Sequence, residues 1–122
     1  MSGTTSGVIF SRTGEDTNMR IFRGKTLSFS IIWGGSAPLD ITGYSARLQA
    51  RDRGGALMLD LSTSNGGITI DGPGGTLSFA ADPALTDQVL TAGRYEVEMS
   101  TAAGDVYRVI SGGISPIEEI VQ

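Results

Sequence analysis

The chain has 122 residues and a mass of 12.7 kDa, the size of one domain built around one hydrophobic core. It contains no Cys and no His, which excludes disulfide bonds, thiolate chemistry and an imidazole base or metal ligand. A formal net charge of −4 opposes binding to nucleic acid. The sequence contains no run of about 20 apolar residues, so it predicts no transmembrane helix.

Residues 1–18 are rich in Gly, Ser and Thr and contain one apolar cluster, Val8, Ile9 and Phe10. This composition predicts a flexible amino-terminal arm, followed by a single domain over residues 19–122. The cluster predicts a partner-binding patch that docks on the chain's own sheet or on the edge of a neighbour. The start of the chain lacks the pattern of a secretory signal, so we expect synthesis in the cytoplasm.

Most of the remaining chain alternates apolar and polar residues with a period of two, which predicts β-strands. The 18 Gly separate these short segments and exclude a long helix. The predicted strands are residues 19–22, 25–33, 44–53, 56–62, 68–71, 76–81, 94–99 and 106–111. Residues 112–122 are expected to form a final edge strand or a tail, because Pro116 is barred from the middle of a sheet.

One segment, Asp82–Leu90, has the signals of a short helix. Asp82 is a suitable cap and Pro83 suits the first helical position. The apolar residues Ala84, Leu85, Val89 and Leu90 are expected to face inward.

Together these elements predict an all-β fold, an immunoglobulin-like antiparallel β-sandwich of about seven to nine strands, with a closed barrel as the alternative. Tyr95 stands early in its strand and is either an ordinary core residue or a corner that bonds back to the preceding turn. Trp33 is in phase with Leu27, Phe29 and Ile31, which predicts a core position; the alternative is an aromatic platform for a partner or sugar.

The sequence offers no convincing catalytic group. Glu96 and Glu98 are predicted on a solvated strand face, and Glu118-Glu119 lie near the terminus rather than across a cleft. No loop has the acidic spacing of a calcium site, and the Gly-rich loop at residues 72–75 lacks the Lys of a phosphate loop. We therefore expect no enzyme activity, no catalytic residue, no cofactor and no metal.

Several motifs resemble the amino-terminal β-sandwich domains of baseplate upper proteins, and related tail-fibre or neck components, of tailed bacteriophages. The resemblance covers about Phe22 to Ile117. The matching features are an aromatic residue that ends a strand, Trp33, and residues 41–44 at the start of the next strand. The others are a strand containing Gly-x-Tyr, residues 93–95, and a hairpin containing Gly-x-Val-x-Arg, residues 104–108.

This resemblance implies a non-enzymatic structural component of a bacteriophage virion, located in the tail, baseplate or neck. Such a component would act as a connector or attachment module through contacts with other virion proteins and with further copies of itself. We expect no nucleic-acid or membrane partner. The candidate partner-binding residues are Val8, Ile9, Phe10 and Trp33. The alternative function is a carbohydrate- or receptor-binding β-sandwich module.

Overall fold

The computed structural model describes residues 5–34, 36–37 and 39–117, which form nine strands and one short helix. The strands are β1 (Val8–Thr13), β2 (Asp16–Phe22), β3 (Leu27–Ile32), β4 (Ser45–Asp52), β5 (Leu57–Ser62), β6 (Ile68–Asp71), β7 (Thr76–Ala81), β8 (Gly93–Ser100) and β9 (Val106–Ile117). The helix α1 (Pro83–Thr86) lies between β7 and β8.

The strands form two sheets that pack against each other as a β-sandwich. The larger sheet has the order β1-β2-β9-β8-β4-β5, and the smaller has the order β3-β7-β6. A smaller sheet of this order facing β9-β8-β4-β5 corresponds to the B-E-D and G-F-C-C′ strands of immunoglobulin-like sandwiches. This confirms the predicted fold class. One pair departs from the antiparallel prediction, since β2 and β9 run parallel.

The core lies between the sheets and follows from the period of two in each strand. In β4, β7 and β8, alternate side chains are buried and their neighbours face solvent. Phe29 of β3 stacks on Phe79 of β7, with ring centroids 4.5 Å apart and planes inclined by 7°. This stacked pair joins two strands of the smaller sheet on the face that covers the core.

The predicted arm is corrected by the structure from Val8 onward. Residues 8–22 form an antiparallel hairpin, in which β1 and β2 are joined by Gly14 and Glu15. Gly14 has a φ of 62°, as the first central residue of a two-residue type II′ turn requires. Val8 is buried in the core, because the hairpin extends the larger sheet over β3. Residues 1–4 of the predicted arm lie outside the described residues.

The final strand is also corrected. Residues 112–117 belong to β9, which is a central strand between β2 and β8 rather than an edge strand or a tail. Pro116 fits there because the pairing with β8 ends at Ile114, so beyond that residue β9 has only β2 as a neighbour. A missing backbone donor is tolerated where one side of the strand is open. Residues 118–122 of the predicted segment lie outside the described residues.

The short helix is confirmed, although it ends sooner than predicted. The Asp82 carboxylate accepts a hydrogen bond from the Leu85 N–H at 3.0 Å, and Pro83 opens the helix. Of the residues predicted to face inward, Val89 is buried and Leu85 packs against the core, whereas Ala84 and Leu90 do not. Val89 and Thr86 are fully buried, whereas Ala84 faces solvent and Leu90 is 66% exposed. No helix in the described part of the chain has the length and apolar character needed to cross a membrane.

Candidate docking edge and binding surfaces

The predicted apolar cluster lies on β1, the outermost strand of the larger sheet. Val8 and Phe10 face the smaller sheet, and the Phe10 ring meets the Phe29 ring edge-on at 5.2 Å. Ile9 faces the opposite side. Ile9 and Phe10 remain 46% and 37% exposed, so the cluster is only partly covered by the chain itself.

The backbone of β1 carries polar groups that point away from β2. The Phe22 N–H donates to the Gly7 carbonyl at 2.9 Å, which identifies Gly7 and Phe22 as a hydrogen-bonded pair. Because such pairs alternate along an antiparallel ladder, the N–H and C=O groups of Val8, Phe10 and Arg12 are directed outward. No described residue outside the hairpin bonds the backbone of Phe10 or Arg12. β1 therefore presents an open edge.

The other sheet edges are shorter or blocked. On β5, the outward carbonyl of Asp60 and the outward N–H of Ser62 both bond the Asn65 side chain, each at 2.9 Å. On β3, the Ser28 backbone exchanges two hydrogen bonds with Ser6. β6 has only four residues. Proteins commonly limit unwanted pairing with short or covered edges. β1 thus combines an uncovered edge with two exposed apolar side chains, Ile9 and Phe10.

Two consecutive residues of β8 hold the β1–β2 hairpin from opposite faces of the sheet. On the inner face, the buried Tyr95 hydroxyl donates to the Thr17 carbonyl. On the outer face, both terminal nitrogens of Arg94 contact the Asp16 carboxylate at 3.3 Å. The open edge of β1, from here on called the docking edge, is therefore held in place by contacts between the β1–β2 hairpin and β8.

Tyr95 is a core residue whose hydroxyl partner lies on β2, 78 positions away in the chain, rather than in the preceding turn. The corner alternative is thus not the geometry found. Burial raises the pKa of Tyr95 to about 12, and the nearby Asp16 carboxylate contributes in the same direction. The hydroxyl therefore remains a hydrogen-bond donor throughout the physiological pH range.

Trp33 directly follows β3, four residues beyond Phe29, which contacts Phe10. It packs against the core and is only partly buried. Its ring is 6.5 Å from that of Tyr107, which is 45% exposed. The backbone N–H of Trp33 donates a hydrogen bond to the Gly75 carbonyl at 2.7 Å. The aromatic neighbour of Trp33 is thus Tyr107, whereas that of Phe10 is Phe29.

The outer face of β4, β8 and β9 is a shallow, charged concavity. In this concavity Glu96 contacts Arg108 at 2.6 Å, and Arg47 contacts Asp60 of the neighbouring strand β5 at 2.9 Å. The Arg47 guanidinium lowers the pKa of the Asp60 carboxyl. Glu98 shares the face but is solvent-exposed. This arrangement matches the predicted solvated strand face, and it lacks the enclosed carboxylate pair of an acid–base site.

Within residues 5–34, 36–37 and 39–117, no three potential acidic metal ligands come together. Glu118 and Glu119 lie outside the described residues.

The sequence analysis identified the apolar cluster on β1, but it missed the contacts that hold this strand in place and those that cover the edge of β5. The loop that follows β5, residues 63–67, covers that edge but gives only a turn signal in the sequence. Asn65 acts through three contacts, to Asp60, Ser62 and Gly67, that appear only once the loop is folded. Likewise, nothing in the sequence around Tyr95 indicates that its partner is Thr17.

Comparison with protein-family models gives no matching family, and comparison with curated proteins gives no matching relative.

Proposed function

We propose that the chain is a non-enzymatic structural component of a bacteriophage virion, a connector or attachment module that binds neighbouring proteins through β1. The observation that carries the docking role is the open edge of β1, with exposed Ile9 and Phe10 beside outward backbone groups. An exposed edge of this kind accepts a strand from another chain, and the adjacent side chains add specificity. The assignment to a virion rests on the motif resemblance.

The physical character of the chain supports such a role. Its fold is held by two packed sheets without a disulfide bond, since the sequence has no Cys. The hairpin that carries the edge is anchored by Tyr95 and Arg94, so a partner would meet a positioned strand. A preordered strand avoids part of the entropy cost of binding.

The test is the recovery of the chain in purified phage particles from cells that produce it, measured by mass spectrometry. Arg12→Pro removes one outward N–H without removing a donor of the β1–β2 ladder, because Arg12 and Thr17 are not a hydrogen-bonded pair. We expect wild-type incorporation and at least a tenfold loss for Arg12→Pro. Arg12→Ala keeps the N–H and is the matched control. Absence of the wild-type chain from particles would refute the proposal.

A second candidate is a carbohydrate- or receptor-binding module. The observation that favours it is the Trp33–Tyr107 pair, whose exposed member offers an aromatic surface at one end of the sandwich. Binding on a glycan array that disappears in Tyr107→Ala, with an unchanged melting temperature, would support this function. A glycan signal that survives Tyr107→Ala would exclude this surface.

A further inference from the structure

We propose that the occupant of the docking edge is a second copy of this chain, whose β1 pairs antiparallel with β1 about a two-fold axis at Ser11. The inference rests on the proposed function, because it names the partner of the same edge. The pairing would join two larger sheets into one continuous sheet.

The positions of the open backbone groups select the register. Val8 is only 7% exposed and follows the segment at Ser6 that bonds to β3, so Phe10 and Arg12 are the accessible pair. In one antiparallel register, Phe10 lies opposite Arg12 of the second copy and Arg12 lies opposite its Phe10. This register satisfies both residues in each copy with four N–H to C=O hydrogen bonds. Ser11 then faces Ser11 of the second copy.

A second copy fits because an antiparallel edge is complementary to itself. A two-fold axis repeats every contact, so one strand of suitable pattern generates a closed interface. On the inner face, the exposed part of the Phe10 ring lies beside the Arg12 side chain of the second copy, an arrangement that favours stacking of a guanidinium on an aromatic ring. On the outer face, Ile9 lies opposite Thr13 of the second copy. Both exposed apolar residues thus lose contact with water.

The electrostatics give this dimer a distinctive salt response. In the selected register the two Arg12 residues are diagonal neighbours, with Cα atoms about 7–8 Å apart. Each copy also has a net charge of −4. Both terms are repulsive, so screening by added salt strengthens the dimer. An interface held by opposite charges would weaken under the same conditions.

The register can be tested with single cysteines, since the chain has none of its own. Ser11 residues across the axis form a non-hydrogen-bonded pair with Cα atoms about 4.5 Å apart, within disulfide range. Thr13 is on the same face of β1 and is also exposed, but its Cα lies about 14 Å from that of Thr13 in the second copy. Under mild oxidation we expect Ser11→Cys to form a disulfide-linked dimer and Thr13→Cys to form no disulfide cross-link, although it still pairs non-covalently.

Light scattering on the unmodified chain provides the second measurement. The mass should rise from 12.7 kDa toward twice that value with protein and salt concentration, and Arg12→Pro should abolish the rise. Equal cross-linking of Ser11→Cys and Thr13→Cys would overturn the register, and a monomer at every concentration would overturn self-pairing.

The two proposals fail in different ways. If Arg12→Pro blocks incorporation into particles while the wild type stays monomeric, the edge binds another protein and self-pairing is refuted. If Ser11→Cys cross-links selectively while particles lack the chain, self-pairing stands and the virion function is refuted.

Discussion

At the scale of single residues, Tyr95 shows how one buried polar group fixes the position of a distant strand. Its side chain crosses β9 opposite Gly112 and ends at the Thr17 carbonyl of β2. The ladder between β2 and β9 begins only at Met19, so the hydroxyl bonds β2 where the backbone ladder does not. A buried hydroxyl with a partner stabilises the fold, whereas the unpaired carbonyl left by its loss carries a cost.

We predict that Tyr95→Phe lowers the free energy of unfolding by about 1–2 kcal/mol at neutral pH. It should also reduce the alkaline sensitivity of the protein. The folded-state pKa of about 12 exceeds the value near 10 of an unfolded Tyr, so the unfolded state loses its proton first. The stabilisation is therefore complete below pH 10 and declines as the pH rises toward 12. Urea unfolding at pH 8 and pH 11 measures both effects.

The control for this prediction is Tyr107→Phe, since Tyr107 is 45% exposed. This variant should retain the alkaline loss of stability that Tyr95 causes. An identical pH dependence in wild type and Tyr95→Phe would contradict the assignment.

At the scale of elements, the parallel contact between β2 and β9 depends on close backbone approach. A Cβ at Gly112 would lie 2.4 Å from the Thr17 carbonyl oxygen, a distance that forces the strands apart. The next residue in the strand, Gly113, has no such constraint, because its Cβ would lie 3.4 Å from the Asn18 side chain. The two glycines therefore separate the effect of close approach from the effect of backbone freedom.

We predict that Gly112→Ala destabilises the protein by about 1–3 kcal/mol, the usual cost of overpacking. Gly113→Ala is the matched control and should change stability by less than about 1 kcal/mol. Chemical denaturation measures both differences. A Gly112→Ala variant as stable as Gly113→Ala would show that β2 and β9 tolerate a wider spacing.

At the scale of the whole molecule, the amino-terminal hairpin belongs to the sandwich and carries its open edge. Val8 contributes to the core, Phe10 packs on Phe29, and Met19 and Ile21 of the adjoining strand are buried. The hairpin therefore links the stability of the fold to the surface proposed for docking.

We predict that removal of residues 1–13 lowers the free energy of unfolding by at least about 2 kcal/mol, because the buried Val8 side chain and the contact of Phe10 with Phe29 are lost and β2 becomes an exposed edge. Removal of residues 1–4 leaves β1 intact and is the control, so it should retain the contribution of β1 to stability. Thermal unfolding measures the comparison. Equal melting temperatures for the two truncated chains would show that β1 does not stabilise the sandwich, as expected of a flexible arm.

The sequence by itself determined the all-β class, most strand positions and the capped turn at Asp82, because these depend on local periodicity and on the conformational preferences of Gly, Pro and Asp. It also marked Val8, Ile9 and Phe10 as an apolar cluster. Only the tertiary structure decided that these residues form an edge strand, that β9 is central, and that Tyr95 bonds Thr17. Those features depend on pairings between residues distant in the chain, and such pairings leave no local pattern for composition or spacing to reveal.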